Sequence, residues 1–166
     1  TNSVQDLDQA KLIMVVGANP TESHPVVGAS IKQAHRRGVP LIVIDPRKTE
    51  LARLATLHLP LKPGTNVALL NGIGHVIAKE GLLDRAFIDA RTEAVDDWLK
   101  AVEACTPSWA EQVTGVPADL IREAARRYAT SGAASEPEPL ADREHFGLVV
   151  GGETLVLGGL ELLLAV

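Results

Sequence analysis

Cysteine occurs once in these 166 residues, at Cys105. One thiol closes no internal disulfide and holds no iron–sulfur cluster, which needs four thiolates, so neither a disulfide scaffold nor cluster chemistry belongs to these residues. Aromatic residues are 3% of the sequence. Phe87, Trp98, Trp109, Tyr128 and Phe146 are too scattered to form a base-stacking platform, and packing is the expected role of each. Basic residues are in the minority: 16 Lys and Arg against 21 Asp and Glu leave a net charge of −5, which argues against a nucleic-acid partner. Long apolar runs are missing too. The Gly- and Leu-rich C-terminal stretch is broken by glycines and by Glu153 and Glu161, so no membrane insertion by this chain is expected. Residues 1–8 are polar and lack the basic-then-apolar order of a signal peptide.

What the chain does have is a hydrophobic fraction of 46%, ordinary for a globular protein and enough for a sizeable core. Residues 12–16 form a short apolar run ending at Gly17, and residues 41–44 form another ending at Asp45. Both read as strands buried on both faces. Between them Ser23 reads as an N-cap and Pro25 as a first-turn residue, with Val27, Ile31 and Ala34 at helical spacing up to Arg36, Arg37 and Gly38. Residues 57–61 alternate apolar side chains with His58 and Pro60, which predicts an edge strand. A turn and cap at residues 62–66 precede a helix with Leu69, Leu70, Ile73, Val76 and Ile77 on one face. Further helices are expected over 84–90, 94–104 and 107–113, and from Pro117 to Ala129 with Leu120, Ile121, Ala124, Ala125 and Tyr128 as the buried stripe. Strands alternating with helices predict an α/β domain with a mostly parallel sheet over residues 1–130. Residues 131–145, rich in Pro, Glu and small side chains, read as a flexible linker, and the repeated Gly-Gly segments that complete 131–166 as a hairpin or an aggregation-prone tail.

In an open parallel sheet, ligands sit beyond the carboxyl ends of the strands, and three segments follow such ends. The first runs from Gly17 through Asn19, Glu22 and Ser23 to His24, where a glycine allows close backbone approach and a helix start offers N–H groups to an anion. It is not a G-x-G-x-x-G fingerprint, and the segment alone is equally compatible with a capped surface loop. The second holds Asp45, where a carboxylate could accept from a ribose hydroxyl or a guanine edge, and Arg47, which could meet a phosphate. Asp45 with Pro46 could instead cap or turn the chain, with Arg47 in a solvated ion pair. The third, with Pro63, Gly64 and Asn66, is either a glycine-opened approach to a ligand or a simple turn before a helix. His24, His35, His58, His75 and His145 have no metal-pair spacing, and there is no G-x-S-x-G elbow. No catalytic constellation emerges.

As whole strings, residues 15–25 (VVGANPTESHP), 44–52 (IDPRKTELA) and 61–71 (LKPGTNVALLN) resemble the prokaryotic molybdopterin oxidoreductases, formate dehydrogenase catalytic subunits most of all. Residues 1–3, 86–88, 91–93, 114–116 and 121–126 extend the likeness over about residues 1–130. The resemblance implies a Rossmann-like three-layer α/β domain with an additional helical segment. It also implies that the three loops hold the guanosine and pyrophosphate end of a molybdopterin guanine dinucleotide, with molybdenum or tungsten held elsewhere in the full enzyme. In that family the metal-ligating cysteine or selenocysteine and the cluster cysteines precede the Thr-Asn-Ser segment, so this chain looks like a piece of a larger enzyme that positions the cofactor without reacting. The implied partners are the rest of the catalytic subunit, including an iron–sulfur domain, and electron-transfer subunits, in prokaryotic cytoplasm or periplasm. Residues 130–166 do not follow the family pattern, which leaves open whether they complete the sheet. Two other readings stand beside this one: the Rossmann-like central domain of a thiamine diphosphate enzyme, and a non-catalytic α/β interaction module.

Overall fold

The computed structural model describes residue 7 and residues 10–85, 88–89, 93–131, 147–150 and 153–156, the last two stretches as backbone only. The chain divides into two compact units, Thr1–Pro60 with Ser135–Gly158, and Leu61–Ala134 with Gly159–Val166.

The first unit is built on a sheet of β1 (Ile13–Val16), β2 (Leu41–Ile44), β3 (Leu57–Leu59), β4 (Gly147–Val150) and β5 (Glu153–Val156), in the order β3-β2-β1-β4-β5. β1 pairs in parallel with β2 (Ile13 opposite Leu41) and with β4 (Ile13 opposite Gly147), and β2 pairs in parallel with β3 (Ile42 opposite Leu57). The apolar runs IMVV and LIVI, mostly Val and Ile, are buried at every residue, as strands covered on both faces require. Because side chains alternate along a strand, Ile13, Val15, Leu41 and Val43 share one face. They pack with Ile31 and Ala34 of α2 (Pro25–Arg36) and with Leu51 and Ala52 of α3 (Glu50–Leu54). β3 lies at the edge, as its proline pattern predicts, but stops at Leu59 rather than Leu61.

One sequence expectation is corrected here, and one helix is added. Ser23 does not cap the long helix. It ends a separate four-residue helix, α1 (Pro20–Ser23), and its hydroxyl donates back to the Asn19 carbonyl at 3.1 Å, while His24 occupies the position before Pro25. The helix α3 went unpredicted because five residues are too short to show periodicity. Its signal was the cap, since Thr49 Oγ1 accepts the Ala52 N–H at 3.2 Å.

The second unit is helical among the described residues: α4 (Asn66–Lys79), α5 (Val95–Val102), α6 (Pro107–Thr114) and α7 (Ala118–Thr130). The predicted apolar faces of α4 and α7 are buried, Leu120 only partly. Gly72 brings α4 hard against α6, where a Cβ would meet Ala110 Cβ at 2.7 Å. Arg126 on α7 grips Glu80 at the end of α4 with two parallel bonds of 2.8 Å. Gly115, at φ +78°, closes α6 in the left-handed conformation. The helix expected over 84–90 falls partly outside the described residues; within it the Ile88 N–H donates to the Asp84 carbonyl at 3.0 Å. The linker expected over 131–145 lies outside them beyond residue 131, as do residues 157–166. β4 and β5 pair antiparallel, and β4 extends the parallel sheet; most of the repeated Gly-Gly segments expected as a hairpin or tail lie outside the described residues.

Candidate functional site

Parallel pairing places the carboxyl ends of β1 and β2 side by side, and with them the first two candidate loops. The ladder continues one step past β1: the Gly17 N–H donates to the Ile44 carbonyl at 2.8 Å. Gly17 then takes φ +60°, a left-handed turn that glycine adopts without strain, and no atom lies within 4 Å of where a Cβ would stand. The turn leads to Asn19, whose side-chain carbonyl accepts the Thr21 hydroxyl at 2.7 Å and whose backbone carbonyl accepts the N–H groups of Glu22 and Ser23. Glu22, Ser23 and His24 are exposed. Behind this loop Gly28 lets α2 touch α1, since a Cβ there would stand 2.9 Å from Thr21 Cα. Sequence reasoning passed over Gly28, which sits inside a helical pattern and is informative only once α1 is known to turn back on α2.

Asp45 is 1% exposed at the end of β2. Burial of a carboxylate demands partners, and it has them. Oδ1 accepts the Arg47 backbone N–H at 2.7 Å and Arg47 Nε at 3.2 Å, and Oδ2 accepts Arg47 Nη2 at a long 3.4 Å. The carbonyl of Asp45 accepts from His58 Nε2 at 2.9 Å. The Asp45 side chain therefore does form the turn and ion pair of the plainer sequence reading, yet Oδ2 keeps acceptor capacity. The Arg47 side chain remains 64% exposed. Its hydrogen bond to Asp45, and then the Asp45 charge, raise its pKa above the ordinary arginine value; burial opposes this and the charge of Glu22 adds to it.

Pro63, Gly64 and Asn66 belong to the second unit. Pro63 and Gly64 form a turn, Gly64 with φ +81° and open space at its Cβ position, and Asn66 begins α4. The cap expected here is absent: Thr65 Oγ1 donates to the Lys62 carbonyl at 2.6 Å instead of accepting from the helix. The Lys62 N–H donates to the Thr114 carbonyl at 2.8 Å, which anchors the turn to the end of α6.

Among the described residues no group of three or more His, Cys, Asp or Glu is placed to hold a metal ion, and no helix is long and apolar enough to cross a membrane. Cys105 is buried, and burial raises its thiol pKa.

A family model described as "Molybdopterin oxidoreductase" matches residues 1–146. The chain belongs to the molybdopterin oxidoreductase family. It is 47% identical over 135 residues to formate dehydrogenase H of Escherichia coli, covering 81% of this chain and 19% of that protein. It is 43% identical over 135 residues to the F420-dependent formate dehydrogenase 1 subunit alpha of Methanococcus maripaludis, covering 81% of this chain and 20% of that protein. Among solved structures, acetylene hydratase from Pelobacter acetylenicus superposes with a TM-score of 0.71 at 32% identity, over 80% of this chain and 18% of that chain. This molybdopterin oxidoreductase chain thus spans about a fifth of the length of these relatives. Its resemblance to the family, its α/β class and its likeness to formate dehydrogenase are all upheld, and the thiamine diphosphate reading falls away.

Proposed function

We propose that this chain is the part of a formate dehydrogenase-like oxidoreductase that holds the guanosine and pyrophosphate end of a molybdopterin guanine dinucleotide. The observation that carries the reading is a carboxylate buried at the end of β2, beside an open, left-handed glycine at the end of β1, in a member of this family. The residues fit such a group. Open space above Gly17 admits a pyrophosphate to the backbone, and Asp45 offers an acceptor to a ribose hydroxyl or a guanine edge. Arg47 is exposed enough to turn from Asp45 to a phosphate oxygen. Asn19, Glu22, Ser23 and His24 line the first loop, and the turn of Pro63 and Gly64 before Asn66 is a candidate cofactor segment by its resemblance to the family.

When bound, the cofactor supplies the redox chemistry of a molybdenum or tungsten centre. The work of these residues is binding and orientation. Relatives matched over this same segment carry names for unlike reactions, formate dehydrogenase and acetylene hydratase, as expected of a segment that holds a shared cofactor. The partners that follow from this role are the remainder of a catalytic subunit with an iron–sulfur domain, and electron-transfer subunits.

The test is an NMR titration of the chain with guanosine 5′-diphosphate. Asp45→Asn should weaken binding by about 1–3 kcal/mol, the cost of leaving a buried polar group mismatched. Arg47→Ala should weaken it in a salt-sensitive way. Unchanged affinity in a folded Asp45→Asn variant would reduce Asp45 to a turn residue and remove the reading's support.

A further inference from the structure

We propose that His58 is a positioning residue for the Asp45–Arg47 turn. Carbonyls alternate in direction along a strand, and at the end of β2 the Ile44 carbonyl faces β1, where it accepts the Gly17 N–H at 2.8 Å. The next carbonyl, Asp45, faces the other way, toward β3. There β3 has stopped at Leu59, and the Leu61 N–H that the parallel register would send to this carbonyl makes no bond to it. The donor that reaches Asp45 is a side chain: His58 Nε2, 2.9 Å from the carbonyl oxygen. A carbonyl only accepts, so this nitrogen carries the proton. His58 sits opposite Val43 in the register, and its ring spans the two residues forward to Asp45.

The consequence is that Asp45 is held at both ends. Its carboxylate closes a turn onto the Arg47 N–H at 2.7 Å, and its carbonyl is tied to the edge strand. With the His58 bond gone, the carbonyl of the Asp45–Pro46 peptide loses its partner, and because the ring fixes φ of Pro46 the shift is taken up at Asp45 itself. That shift would swing the carboxylate off the Arg47 N–H and spoil the paired presentation of Asp45 and Arg47. The importance of that presentation for a ligand rests on the function proposed above; the coupling of His58 to the turn does not.

Hydrogen exchange on the full chain tests the coupling without a ligand. In His58→Ala, protection of the Arg47 N–H should fall about five- to tenfold, the net worth of one hydrogen bond. Protection of the Gly17 N–H, on the opposite edge of β2, should hold. His58→Gln places an amide donor at similar reach and should restore Arg47 protection. Unchanged Arg47 protection in His58→Ala, an equal fall at Gly17, or a failure of glutamine to rescue would each overturn the proposal. Titration of the same variants with guanosine 5′-diphosphate should show the same order, alanine weak and glutamine close to the parent. A parent chain that does not bind the nucleotide counts against the proposed function, and the exchange experiment still decides the role of His58.

Discussion

Gly72 and Ala110 touch where α4 crosses α6, so closely that a Cβ on residue 72 would stand 2.7 Å from Ala110 Cβ. Alanine is favoured over glycine in a helix by about 1 kcal/mol, which by itself makes Gly72→Ala stabilising. Overpacking costs about 1–3 kcal/mol and acts against a Cβ that has no rotamer to escape into. Gly72→Ala should therefore be destabilising by up to about 2 kcal/mol in urea unfolding. Adding Ala110→Gly should recover part of the loss, a favourable coupling in the double-mutant cycle.

Gly28→Ala should combine lower stability with weaker nucleotide binding. The new methyl would meet Thr21 Cα at 2.9 Å and the Pro20 carbonyl at 3.1 Å, both backbone atoms that cannot turn aside. α1 must shift, and the loop from Asn19 to His24 shifts with it. Gly17→Ala is the contrast in stability, because nothing lies near its Cβ and the cost of about 1 kcal/mol comes from the left-handed backbone alone, while its methyl would fill the space proposed for the pyrophosphate and weaken binding directly. Chemical denaturation with a parallel titration of guanosine 5′-diphosphate separates the two.

The Arg126–Glu80 pair should give the second unit an acid-sensitive element. The hydrogen bond from Arg126 holds the Glu80 pKa below its usual 4.5. A depressed carboxylate pKa contributes stability that is present above the unfolded value and lost as pH falls through the folded one. The parent should thus melt above Arg126→Ala at pH 7, and the difference should shrink below pH about 4.5 and vanish at lower pH. Thermal melts across pH 7 to 2.5 check it. A gap that stays constant through the acid range would mean that Arg126 acts by packing.

Cys105 should be slow to alkylate in the folded chain. It is 8% exposed, and burial raises its thiol pKa from the ordinary 9.0, so thiolate is scarce at neutral pH. Iodoacetamide at pH 7.5 should label the native chain at least about tenfold more slowly than the urea-unfolded chain. Equal rates would place the thiol at the surface.

The elements that could be read from sequence were those with a repeating physical signal. The doubly buried runs ending at Gly17 and Asp45 are β1 and β2, and the apolar faces of α4 and α7 lie where their spacing places them. Pro60 identified β3 as an edge. What escaped was decided by neighbours distant in sequence. Whether Ser23 caps a helix depends on where Asn19 turns, and the need for glycine at 28 depends on α1 lying against it. At the candidate site, the strand-end geometry singled out Asp45 and Arg47. The plainer reading allowed a turn at Asp45 and an ion pair for Arg47 without naming each as the other's partner, and nothing showed that His58 reaches them, since an imidazole in an edge strand gives no pattern pointing thirteen residues back.

The place of β4 in the sheet has a consequence for biosynthesis. β1 takes β2 as one neighbour and β4 as the other, and the second neighbour is encoded only at residues 147–150, after the whole helical unit. A ribosome releases the chain in order, so β1 and β2 can pair early while the outer amides and carbonyls of β1 wait uncovered. Throughout that interval the nascent sheet presents an apolar edge able to recruit another strand. Ending translation near residue 131 would make the exposure permanent. Such a shortened product should depend on chaperones for its solubility more than one that runs on through β4 does.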